Sequence, residues 1–193
     1  MIRHGMTEGN KAARYIGVTD EPLCTEGREQ LQNFSYKSGE CLFVSPLRRC
    51  RETADLLFPD QKQIVIEELA ECNFGEFENK NYLELADHPF YQKWIDSNGE
   101  LPFPEGESRE ACRERNLRGF QKVLNICRQH SVKSAVLVIH GGTIMNLMEQ
   151  YADEKRSFYE WHVRNGEGYR VRVSAVDTEA EYTFQDIQKA GAL

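Results

Sequence analysis

Four segments of the chain carry side chains able to handle an anion. Arg3, His4 and Gly5 follow two apolar residues at its beginning. "SPLRRCRETA" supplies Arg48, Arg49 and Arg51, and "SAVLVIH" ends at His140 ahead of Gly141, Gly142 and Thr143. "ELAECNFGEFEN" supplies Glu68, Glu71, Glu76 and Glu78. Singly, each has a bland explanation: a hydrogen-bonded structural histidine, a solvated ion-paired helix face, surface carboxylates, a tight strand-to-helix turn. Jointly they form the inventory of phosphoryl transfer, where positioning and charge stabilisation dominate. Guanidiniums clamp phosphate oxygens two at a time, and N–H groups at the start of the helix after Gly141-Gly142 add partial positive charge. A neutral imidazole can attack phosphorus and form a phosphohistidine. A protonated carboxyl can then supply the departing alkoxide with its proton. No step calls for a metal or a cofactor, and the histidines and acids show no H-x-H or H-E-x-x-H spacing.

The elements that must position these groups are legible as apolar patterns. "CLFVS" (41–45), "QIVIEEL" (63–69), "SAVLVIH" (134–140) and "YRVRVSAV" (169–176) read as strands, with "EYTFQDI" (181–187) as partner of the last. "SAVLVIH" is continuously apolar, as a central parallel strand covered on both faces should be. "YRVRVSAV" alternates, as an edge strand with one wet face should. Helical patterns separate the strands. "TEGREQLQNF" is a polar surface helix; "LRRCRETADLLF" sets Cys50, Ala54, Leu57 and Phe58 on one stripe; "ESREACRERNLRGFQKVLNICRQH" does the same for Leu117, Phe120, Leu124 and Cys127. Met145, Leu147 and Met148 are expected in the core. The expectation is a single α/β domain over 1–193, a three-layer αβα sandwich with a mostly parallel sheet and an antiparallel edge strand. Residues 79–106, rich in aromatics, Pro and Gly, read as an inserted helical and loop region covering one end of the sheet. Open α/β sheets bind ligands at the carboxyl ends of their strands, which is where Arg3-His4, the arginine helix and His140 all fall.

Composition narrows the partners. A formal net charge of −7 over 193 residues argues against nucleic acid or an anionic membrane. Six cysteines without a CxxC pair suit buried thiols in a reducing cytoplasm. No apolar run approaches the ~20 residues of a membrane span, and the opening lacks a signal-peptide pattern. A small phosphorylated substrate is the expected partner, with a homodimer through a sheet edge left open.

At these residues the chain resembles the histidine phosphatase superfamily, which includes the cofactor-dependent phosphoglycerate mutases. "RHGMTEGN", "GVTDEPLCTEG", "SPLRRCRETA", "LAECNFGEFEN", "PEGES" and "IHGGT" occur in that family's order. The resemblance implies His4 as the phosphorylated nucleophile, Arg3 and Arg49 as phosphate clamps, His140 as a second pocket histidine and Glu71 as proton donor. It implies phosphate contacts from Asn10 and the Gly141 backbone. Three features depart from the family pattern: only Met1 and Ile2 precede "RHG", Cys24 stands where Thr is usual, and Asn79 follows Glu78 where Gly is usual. The short insert and "PEGES" look most like the small alpha-ribazole phosphatase type. Between Asn79 and Glu107 only Lys80 and Lys93 are basic, which favours a monophosphate hydrolase over a mutase that retains a bisphosphate. The rivals are a phosphoglycerate mutase-type phosphotransferase and a catalytically silent phospho-ligand-binding module.

Overall fold

The computed structural model describes residues 1–175 and 182–191. In chain order the strands and helices are β1 (Ile2–Arg3), α1 (Glu8–Lys11), α2 (Thr25–Leu31), β2 (Cys41–Val44), α3 (Arg48–Leu57) and β3 (Gln63–Val65). There follow α4 (Tyr91–Asp96), α5 (Arg109–Gln129), β4 (Ala135–Ile139), α6 (Gly141–Tyr151), β5 (Gly168–Ala175) and β6 (Tyr182–Ala190). The expected strand positions Val176 and Glu181 lie outside the described residues.

The six strands form one sheet in the order β3-β2-β4-β1-β5-β6. β1, β2, β3 and β4 run parallel, whereas β5 is antiparallel to β1 and β6 antiparallel to β5. The mostly parallel α/β sandwich is therefore as expected, with one correction. The alternating strand β5 is not the edge: β6 covers its outer side, and β5 pairs with β1 at Ile2 opposite Gly168. Within β2 and β4, alternate side chains feed two cores, as the period of two requires. Leu42, Val44, Val136 and Val138 pack with Cys50, Ala54 and Phe58 beneath α3. Phe43, Leu137 and Ile139 pack on the other face with Phe120 and Val123 of α5 and Ile144, Leu147 and Met148 of α6.

Several boundaries differ from the sequence expectation for physical reasons. "QIVIEEL" is a strand only over Gln63–Val65, and Glu67–Leu69 is a 3-10 turn. Its last ladder bond is Ile66 N–H to Val44 O, 3.0 Å, after which the turn drops Leu69 fully into the core. The helix expected at "TEGREQLQNF" stops at Leu31, and Cys24 is its N-cap, with Sγ accepting from Gly27 N–H at 3.3 Å. Cys24 thus stands in for the hydroxyl of a threonine cap. All six cysteines are free thiols, four of them buried. No helix among the described residues is long and apolar enough to cross a membrane.

Residues 79–106 form α4 and turns. Their aromatics join Phe77 in a third cluster, where Leu85, Trp94 and Phe103 are buried. That fits the packing role for Phe90, Tyr91, Trp94 and Phe103 better than direct contact with a ligand.

Candidate active site

Register brings the two histidines together. Arg3 pairs with Ile139 across the β1–β4 ladder, and His4 N–H donates to Ile139 O at 2.9 Å. His4 and His140 therefore leave adjacent strand ends, with ring centroids 5.2 Å apart at 63°. His4 Nδ1 lies 2.7 Å from Gly5 O, which can only accept, so Nδ1 carries the ring proton. Nε2 keeps its lone pair, and Arg49 Nε–H points at it from 3.3 Å. Burial, then Arg49 and Arg3, hold the His4 ring well below the usual histidine range. It is a neutral imidazole.

Arg49 is fully buried in the first turn of α3. Its Nη1 donates to Thr19 O at 2.8 Å and Nη2 to Gly17 O at 2.8 Å. The guanidinium is thereby fixed with its Nε edge toward His4. Arg48, by contrast, is exposed and bridges to Glu52, the solvated-face reading. His140 is fully buried, with Nε2 2.6 Å from Ser45 Oγ and 3.4 Å from Cys50 Sγ. Burial keeps it neutral too, and pushes the Cys50 thiol up to about 12.

A pocket of about 170 Å³ opens over His4. Arg3, Asn10, Glu71, Gly141 and Gly142 line it together with His4. Arg49 and His140 are not among its lining residues; they pack against His4, Arg49 at its Nε2 and His140 ring to ring. Glu71 Oε2 accepts from Gly142 N–H at 3.0 Å and Oε1 from Cys72 N–H at 3.0 Å. A Cβ on Gly142 would stand 2.4 Å from Glu71 Oε1, so glycine is needed for that close approach. The Gly142 N–H is thus committed to Glu71 rather than free for an anion. Asn10 Oδ1 accepts from Asn165 Nδ2 at 3.0 Å, and the same Nδ2 group is 3.0 Å from His4 O.

The rest of the wall is Arg14, Tyr15, Ile16, Phe74, Met145 and His162. Met145 packs against the core, as expected, and also lines the pocket, whereas none of residues 79–106 does. Those residues back the wall: Glu84 takes the Arg14 guanidinium at 2.8 Å, and Tyr91 OH meets Tyr15 OH at 3.3 Å. Arg14, Asn165 and His162 escape sequence reasoning. They sit in loops with no periodic signal, and only chain folding aims them at His4.

Cys72, Glu107 and Cys112 bring donor atoms within 4.8 Å of one another, a set that could hold a metal. Arg115 occupies it instead, donating to Glu107 at 2.8 and 2.7 Å, while Asn73 N–H takes Glu107 Oε2 at 2.9 Å. The carboxylate is already spoken for.

The chain has relatives among known proteins. The chain is 29% identical over 153 residues to "Putative phosphoserine phosphatase 2" of Hydrogenobacter thermophilus, covering 75% of this chain and 73% of that protein. It is 29% identical over 164 residues to "2,3-bisphosphoglycerate-dependent phosphoglycerate mutase 2" of Gloeobacter violaceus, covering 77% and 72%. The crystal structure of the alpha-ribazole phosphatase from Shigella flexneri shares the fold, with a TM-score of 0.77 at 23% identity over 95% of this chain and 92% of that one. A profile of the histidine phosphatase superfamily (branch 1) matches residues 1–183, and the chain belongs to that superfamily as one of its enzymes.

Proposed function

We propose that the protein is a metal-independent phosphomonoester hydrolase working through a phosphohistidine. The observation that carries this reading is the unprotonated Nε2 of His4, a residue that lines the pocket together with Arg3, with the Arg49 guanidinium 3.3 Å from that nitrogen. The substrate's phosphate docks against Arg3 with Arg49 close behind. His4 Nε2 attacks phosphorus in line, forming the P–N bond as the P–O bond to the leaving group breaks. Glu71 delivers a proton to that oxygen. Water then attacks the phosphohistidine, giving its proton to the Glu71 carboxylate and releasing inorganic phosphate and free His4. Arg49, Arg3 and the neutral His140 hold the charge pattern of the site without changing protonation.

The wall formed by Tyr15, Ile16, Phe74 and Met145 supports a substrate whose leaving group has an apolar or ring-bearing face, alpha-ribazole phosphate among them. Arg14, the outermost guanidinium, is committed to Glu84, which speaks against a second anionic group on the substrate and hence for hydrolysis over a mutase cycle. The test is turnover of an aryl phosphate by wild type and His4→Ala, with and without chelator. Activity indifferent to chelator and abolished in His4→Ala is expected; undiminished hydrolysis by His4→Ala ends the proposal. Activity that needs a bisphosphate primer would mark a mutase instead.

A further inference from the structure

His162 is a pocket residue without a part in that scheme. It follows the 3-10 turn Phe158–Trp161 and lies between buried Trp161 and Val163, so burial of its neighbours turns its ring outward to the pocket rim. Its Nε2 is 3.2 Å from Arg3 Nη1, which also donates to Val163 O at 2.8 Å. A guanidinium can only donate. Nε2 is therefore the acceptor, and both Nη1 hydrogens are used. Arg3 Nε, in contrast, is buried and has no hydrogen-bond partner among the described residues. It faces Gly141, where an added Cβ would stand 3.4 Å from it.

We propose that His162 is a positioning residue of the phosphate pocket: its neutral ring anchors Arg3 Nη1 and so presents the unused Nε–Nη2 edge of the guanidinium to two oxygens of a bound oxyanion. Two parallel N–H···O bonds are the strong mode of arginine–oxyanion recognition, and they require the guanidinium plane to be held in advance. The inference rests on reading this pocket as a phosphate site.

The anchor has a pH signature. Protonating His162 would turn its acceptor into a donor and set two cations face to face. The charged groups around the ring are Arg3 on β1, Lys189 on β6, and Arg164 and Glu167 ahead of β5. Burial, then Arg3 and Lys189, lower its pKa, and Glu167 opposes them. Oxyanion affinity should accordingly fall on the acid side.

Calorimetric binding of sulfate, a dianion whose charge is constant from about pH 5 to 8, tests this without turnover. Wild type, His162→Leu and His162→Gln are compared, the last because its amide oxygen can still accept. At neutral pH His162→Leu should bind about tenfold more weakly and His162→Gln within about twofold of wild type. The acid-side loss seen in wild type should be absent from His162→Gln. Wild-type affinity in His162→Leu, no rescue by His162→Gln, or an acid limb that persists in His162→Gln overturns the proposal. A wild type that binds neither sulfate nor inorganic phosphate overturns it together with the phosphate reading. Binding with the expected variant pattern but no hydrolysis of an aryl phosphate supports the anchor and sinks the hydrolase reading alone.

Discussion

His4 and His140 are kept neutral by burial among arginines, and this has a cost in stability as well as a use in chemistry. The unfolded chain protonates both rings below their ordinary value of 6.5, whereas the folded chain does not. The unfolded state thus binds more protons in that range, so stability is fully present above pH 6.5 and is lost as pH falls toward the depressed folded values. The loss is up to about 1.4 kcal/mol per histidine per pH unit. Urea unfolding at pH 7.5 and about 5.5 should therefore show a marked decline in wild type and a smaller one in His140→Gln, where His4, His162 and the buried Met1 amino group, all held low by the fold, still contribute. Carboxylates held low by their partners, such as Glu107 beside Arg115, contribute only in more acid solution. A decline of undiminished size in His140→Gln would mean that His140 is not held neutral by the fold.

At the scale of elements, the loop carrying Glu71 is fastened by Glu78, which the sequence offers only as one of four acids in its segment. Glu78 accepts from Val18 N–H at 2.9 Å, Phe74 N–H at 3.1 Å, Gly17 N–H at 3.2 Å and Thr19 Oγ1 at 2.7 Å. It ties the segment that holds Arg49 to the one that follows Glu71. Asn79, the departure from a usual glycine, sits next to it at φ +57°. The left-handed region admits Asn more readily than other non-glycine residues because its short polar side chain bonds locally. Asn79→Val should lose about 1–2 kcal/mol of unfolding free energy, and Asn79→Gly should stay within a few tenths. Equal stability of the valine variant would show that this backbone turn is not required. The helices were readable from sequence because caps and stripes are local: Ser108 Oγ caps α5 through Ala111 N–H at 3.0 Å, one residue inside the expected start. The end of β3 was not, because it depends on where its neighbour β2 stops offering carbonyls.

For the molecule as a whole, three of the four chemical segments were legible because each lies at the carboxyl end of a strand or the start of a helix, whereas Glu71 follows the 3-10 turn after β3. Asn165 and His162 were not, since their link to His4 and Arg3 spans about the whole chain and leaves no periodic trace. The same division separates the sheet, which carries His4, Arg3 and His140, from the aromatic cluster that supports the far wall. Phe77 is fully buried at the hub of that cluster, with ring centroids 5.2 Å from His88, 5.4 Å from Tyr91, 5.7 Å from Trp94 and Phe103, and 6.0 Å from Tyr15. Removing it leaves a cavity beneath Tyr15, and Tyr15 packs edge-on against Phe74 at 5.5 Å, so the apolar side of the pocket loses its backing. The strands that carry Arg3, His4 and His140 pack through Ile2, Val138 and Ile139 into the other two cores, so those three residues keep their places. Phe77→Ala should lower stability by about 3–5 kcal/mol, raise KM for an aryl phosphate and leave kcat of the folded fraction near wild type. Phe77→Leu, which retains most of the volume, should show less than half of either effect. Denaturant unfolding together with steady-state kinetics well below the melting range separates the two readouts. A collapse of kcat with KM unchanged would place the cluster behind the chemistry at His4 rather than behind the wall that receives the leaving group.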